Sequence, residues 1–319
     1  MSLLKKEEVK LKDMYFLPIR EYLGVDKDKT LMHSEMVISP DRRYLVIEVE
    51  MMQGSDYLLV WDLEKEKFMR KCKIESPIRA MEFSPNGKYI ASDVFGFSVI
   101  DINCNFLVEK PLNIGMRGMA WRADNKFVAV ASGGPYLHVV NVWEDKKPKS
   151  RFFIGQFEDS WDINRVSGVV WYPDGKRIAV IHDYAMVMLE WPLLRILKFA
   201  DQGEGGFPGL RKGNALRITP DGKYLIYLYG GAVYDSETFE YIPELSAPAG
   251  GEAAADISVD FRYWAFAYKT FYVRIWDTRE RTYIKRMVFE NSVKRLFLDK
   301  TSKRLFLMFF NEGVGVLDL

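Results

Sequence analysis

A turn of the pattern S-P-D-G, followed at once by a short apolar run, recurs along the whole chain. It reads ISPDRRYLVI at 38–47, FSPNGKYIAS at 83–92, WRADNKFVAV at 121–130 and WYPDGKRIAV at 171–180. It continues as ITPDGKYLIY at 218–227, ISVDFRYWAF at 257–266 and, more degenerate, LDKTSKRLFL at 298–307. The position of Pro85 falls at 40, 85, 123, 173, 220, 259 and 300, so the spacings are 45, 38, 50, 47, 39 and 41. Asn-Gly or Asp-Gly supplies the positive φ of a tight hairpin, and the run after it has strand character. A hairpin that returns every 43 residues or so leaves few architectures open.

A second marker keeps phase with the first. After each turn an apolar strand ends in a short acceptor: VWD at 60–62, VID at 99–101, VVN at 139–141, MLE at 188–190, VYD at 233–235, IWD at 275–277 and VLD at 316–318. Such a side chain takes backbone N–H groups of the following turn, so these endings are read as structural. Each unit holds four strands; in the second they are 78–83, 88–93, 97–101 and 106–110. Inner strands such as VSGVVW at 166–171 are apolar on both faces, as burial on both sides requires. The reading is all-β: one propeller domain over 1–319 with seven four-stranded blades. The seventh unit reaches Leu319 after its third strand, and the apolar stretch from Met14 to Ile19, within an N-terminal segment 1–30, is expected to supply the fourth and close the ring.

The seven turns, with the strand endings Trp61-Asp62 and Trp276-Asp277, resemble the WD40 and WD40-like propellers over essentially the whole chain. The Gly-His pair usual before the inner strand of that family is missing; Lys29, Ile74, Leu112, Asp162, Gly209, Pro248 and Phe289 stand in its place. The buried histidine network of the family is therefore expected to be absent.

Composition narrows function by exclusion. The longest apolar stretch, 224–234, is too short to span a bilayer, and the charged start MSLLKKEEVKLKD has no apolar signal core, so a cytoplasmic protein without membrane insertion is expected. Cys72 and Cys104 lack metal-ligand spacing and are expected as thiols. Three Gln among many charged residues lean toward a thermophile, and 14 Met lean away. His33, His138 and His182 lie in different units, with no His-x-His, Cys-x-x-Cys or Gly-x-Ser-x-Gly. No catalytic residue, metal or cofactor is assigned. His182-Asp183, expected near the central channel, is the best acid/base pair for the alternative of a lactonase-like enzyme. The Gly-rich stretch 201–214 lacks the Lys-Ser/Thr of a phosphate loop and reads as an inter-blade loop.

What remains is partner binding. The leading expectation is a non-catalytic scaffold or complex subunit that binds another protein through its face loops. Long inter-blade loops at 157–165, 200–214 and 243–255 offer Asp159, Trp161, Arg165, Phe207, Arg211 and Lys212, residue types suited to interface anchors. Loops between second and third strands add Phe95, Tyr136, Tyr184, Tyr229 and Phe271, whose plainer reading is packing. Net charge is +1, but 235–260 carries −7 and 269–304 carries +7. Arg42, Arg43, Arg279, Arg281, Lys300, Lys303 and Arg304 fall in turns of blades 1, 6 and 7 on the opposite face, where an RNA or ribosome contact is the alternative to ordinary solvated turns.

Overall fold

The computed structural model describes residues 6–26, 30–33, 35–52, 54–111, 115–132, 136–144, 150–153, 166–182, 185–201, 216–248, 252–268 and 271–319. Its strands form seven sheets in sequence order, the blades of a propeller. Each turn is made as its sequence requires. In the second blade Ser84 Oγ donates to Asn86 Oδ1 (2.7 Å) while accepting from Tyr89 N (3.0 Å), and Asn86 Oδ1 accepts from Lys88 N (3.0 Å). Thr219 with Asp221, and Ser258 with Asp260, repeat this pairing. Two residues past the proline position the backbone is left-handed in all seven turns, at Arg42, Gly87, Asn125, Gly175, Gly222, Phe261 and Ser302. Glycine suits that conformation and stands at three of the seven.

The strand endings also do what turn chemistry expects. Asp62 Oδ1 accepts from Glu64 N and Lys65 N at 3.0 Å, Asp101 Oδ1 from Asn103 N and Asn105 N, Asp235 Oδ1 from Glu237 N and Thr238 N, and Asp277 Oδ1 from Arg279 N and Glu280 N. These carboxylates fasten turns.

The chain forms two compact units. One contains 78–227 and 232–243 and holds blades 2 to 5. Its core lies between blade faces: Trp171, Val169 and Leu189 of blade 4 pack with Ala129 and Val139 of blade 3, and Trp121 packs with Ala91 and Val99 of blade 2. Indole N–H groups stitch neighbours, Trp121 Nε1 donating to Glu82 O and Trp171 Nε1 to Ala120 O, both at 3.1 Å. Blade 5 has three full strands, Leu216–Ile218, Tyr224–Tyr227 and Ala232–Asp235; a fourth is reduced to a bridge between Tyr234 and Tyr241.

The other unit contains 1–77, 228–231 and 244–319 and holds blades 6, 7 and 1. Here the N-terminal segment closes blade 7: Tyr15–Phe16 pairs antiparallel with the last strand, Gly313–Asp318, placing Tyr15 opposite Val316 and Phe16 opposite Gly315. Leu17 and Ile19 continue into a core with Leu45, Ile47, Trp61, Phe306 and Val314. An unexpected strand, Lys6–Glu8, runs parallel to Thr282–Val288 and gives blade 6 a fifth member. Cys72 and Cys104 are each disulfide-bonded, which corrects the expectation of thiols; their spacing carried no cue to that state. No helix among the described residues is long and apolar enough to cross a membrane.

Candidate functional site

Loops joining second to third strands carry large exposed apolar side chains. In the unit of blades 6, 7 and 1 these are Met52, Phe271 and Phe310, with exposures of 70, 46 and 41%. Phe271 and Phe310 are held by their backbones. Phe271 sits at φ 64° and donates its N–H to Tyr268 O (3.2 Å), while Phe310 O accepts from His33 N (2.9 Å). Cations border them: Lys294 Nζ lies 5.8 Å from the Phe310 ring, and the Arg274 guanidinium lies 4.9 to 5.2 Å from the rings of Tyr268, Tyr272 and Tyr283. The surface therefore combines rigid aromatic faces, arginine and exposed apolar tips, the composition of an interaction surface rather than of a reaction centre.

Several expected contact residues are in other settings. In the second unit Phe95 is 41% exposed and packs edge-on against Phe106 at 6.1 Å, while Tyr136 is half-buried, its carbonyl accepting from Ser132 Oγ and its ring 6.2 Å from His138. Tyr229 is buried within a single 3₁₀ turn. Asp159, Trp161, Arg165, Tyr184, Phe207, Arg211 and Lys212 lie outside the described residues. Met52 and Phe310 were missed in the sequence, although a bulky apolar residue just before a loop glycine, as in EMMQG and FFNEG, is a usable signal.

The basic turns divide into two sets. Arg42, read above as a surface cation, is an interior one: its guanidinium takes both Asp256 oxygens (2.5 and 3.1 Å), Leu298 O (3.0 Å) and Ile257 O (2.9 Å). The two side chains are only 11% and 9% exposed. The left-handed turn aims Arg42 inward, which turn sequence alone does not reveal. Arg43 lies 3.7 Å from Glu64, and Arg304 donates to Glu66 at 2.5 Å. Arg279, Arg281, Lys300 and Lys303 are exposed, and among the described residues none of their side chains takes part in an ion pair.

A second interior pair stands at the start of blade 1. Arg295 Nε and Nη2 both donate to Glu35 at 2.7 Å, and burial is answered by Glu35, which holds the guanidinium charged well above its usual range. In the unit of blades 2 to 5, Arg177 bridges Asp174 (2.7 Å) and Glu237 (2.6 Å), and the Tyr172 hydroxyl donates to Ser236 O (2.6 Å). These clusters join blades. Among the described residues no group of three or more His, Cys, Asp and Glu side chains is arranged to hold a metal ion. His182 ends the strand Arg177–His182 opposite Ala185; its side chain and Asp183 lie outside the described residues.

No protein-family model matches the chain, and no curated protein matches its sequence. Among solved structures it is similar to the β-propeller domain of Cps50 (Swd1) from Myceliophteria thermophila, with a TM-score of 0.73 and 14% identity over 90% of this chain and 97% of that one. The fold is a seven-bladed β-propeller, with the N-terminal strand completing blade 7.

Proposed function

We propose that the protein is a non-catalytic interaction subunit, one propeller domain that binds another protein through the loops between its second and third strands. The observation that carries this reading is the set of exposed tips Met52, Phe271 and Phe310, with Lys294 over the Phe310 ring and Arg274 over Tyr268. Aromatic and arginine side chains on rigid elements supply contact area at low entropic cost. From the sequence, Trp161, Arg165, Phe207 and Arg211 of the inter-blade loops are proposed as further contact residues.

The test is capture from the native cell with a tagged chain, followed by mass spectrometry. Replacing Met52, Phe271 and Phe310 together by Ser is expected to abolish recovery of a stoichiometric partner while leaving the melting temperature within a few degrees. Unchanged recovery would remove these loops from consideration, and Trp161→Ala with Arg165→Ala then asks the same of the inter-blade loop.

A second reading, contact with RNA or a ribosome, is favoured by the four exposed cations Arg279, Arg281, Lys300 and Lys303, which make no ion pair among the described residues. It requires affinity for single-stranded RNA that falls steeply as salt rises, and a flat salt series would end it.

A further inference from the structure

The N-terminal strand leaves a pocket of about 340 Å³ where it turns away from blade 7, on the far side of the loop whose tip is Phe310 and lined by Asn311, Glu312 and Gly313 of that loop. Leu17, Ile19 and Leu31 give it an apolar wall, and His33 and Gly313 line it as well. His33 is 2% exposed. Its Nδ1 lies 3.3 Å from Phe310 O, and a carbonyl only accepts, so the ring proton sits on Nδ1 and Nε2 is a bare acceptor. That Nε2 is buried and has no hydrogen-bond partner among the described residues. Leaving a buried acceptor unmet costs more than one ordinary hydrogen bond is worth, so Nε2 is a place where a donor would be held.

The chemistry of that group follows from what surrounds it. A bare imidazole nitrogen needs a donor. Burial, the main reason the ring stays uncharged, equally penalises a charged donor brought to Nε2, while the charges that line the pocket, Arg20, Glu21 and Glu312, are of mixed sign. The donor is therefore neutral. Gly313 stands against this edge of the ring: a Cβ there would lie 3.8 Å from Nε2, and the residue's φ of +104° excludes most side chains. The backbone at 311–313, with Asn311 and Glu312 exposed, is what a ligand has to move to reach the nitrogen.

We propose that this pocket binds a small neutral molecule through a hydroxyl that donates to His33 Nε2, its apolar body resting on Leu17, Ile19 and Leu31. A volume of about 340 Å³ is at the lower end for small-molecule sites, which suits a single substituted ring or a short branched alcohol.

The chain has three histidines, so the full-length protein with ¹⁵N-labelled imidazoles gives few nitrogen resonances, and those of His33 are identified by their loss in His33→Gln. Phenol is the probe and benzene the control without a donor. The expected result is a saturable upfield movement of the His33 Nε2 resonance with phenol, none with benzene, and no saturable movement at His138 or His182. His33→Phe is expected to weaken phenol about two- to tenfold, the loss of one hydrogen bond. The proposal is overturned if Nε2 does not move, if benzene moves it equally, if Nε2 carries the proton, or if its resonance already shows a bonded nitrogen in the free protein, which would identify a resident water. The spectrum of the unmodified chain decides these outcomes whether or not a variant folds.

Discussion

Gly87 and Ser302 occupy the same place in two of the seven turns, at φ 68° and 58°, yet only one of them is suited to it. A Cβ on Gly87 would meet nothing within 4 Å, so the cost of Gly87→Ala is the left-handed backbone alone, about 1 kcal/mol. Ser302→Gly works in reverse and is expected to stabilise by about 0.5 kcal/mol once the added chain entropy is subtracted. Urea unfolding of the two variants checks both signs. His33 is the other residue with a measurable signature. Burial, outweighing the Phe310 bond, pushes its pKa from 6.5 down to about 4. The unfolded chain therefore takes up a proton that the folded one refuses, and stability present above pH 6.5 is lost as pH falls toward 4. The slope is about 1.4 kcal/mol per pH unit within that window, and His33→Gln is expected to remove it when urea midpoints are compared at pH 6.5 and 5.5.

At the scale of elements, two departures from four-stranded blades have separate causes. Blade 5 lacks a full fourth strand because the segment that would form it, FEYIPEL, meets Pro243 just after Ile242 donates to Val233 O. A proline cannot continue a ladder. Blade 6 gains a strand from Lys6–Glu8, whose charged sequence has none of the alternation by which strands are found, because an outermost strand buries little. Inner and middle strands were legible since burial on both faces forces apolar runs between turn signals; of the edge strands, Phe106–Lys110 and Tyr15–Phe16 were read and Lys6–Glu8 was not. The same logic limits the site: loop tips obey no period, so Phe271 was found and Met52 and Phe310 were not. Truncation separates the two N-terminal strands. Removal of residues 1–9 is expected to leave the melting temperature nearly unchanged while speeding amide exchange at the Thr282–Val288 edge. Removal of 1–17 strips blade 7, deletes Leu17 from the core, and is expected to cause aggregation on heating.

At the scale of the molecule, the repeat reports seven blades but not what fastens them. Within the unit of blades 6, 7 and 1 that task falls to single side chains: Arg42 reaches from a turn of blade 1 to Asp256 and Ile257 of blade 6 and Leu298 of blade 7, and Arg295 of blade 7 grips Glu35. Arg42 looked like its neighbour Arg43 in sequence because nothing local encodes a partner 214 residues away. Arg42→Ala strands a buried carboxylate and is expected to cost about 3–5 kcal/mol, whereas Arg42→Ala combined with Asp256→Ala should recover part of that loss. Calorimetry on the two variants distinguishes a paired charge from simple loss of packing. The closure at Tyr15 and Phe16 also orders events at the ribosome. Tyr15 and Phe16 are synthesised about 300 residues before their partners Val316 and Gly315. At translation rates of roughly 5–20 residues per second, an apolar segment waits on the order of 15–60 s for its mate. During that interval the nascent chain presents an unpaired strand, so its yield in the cell should depend on chaperone supply more than its final stability suggests.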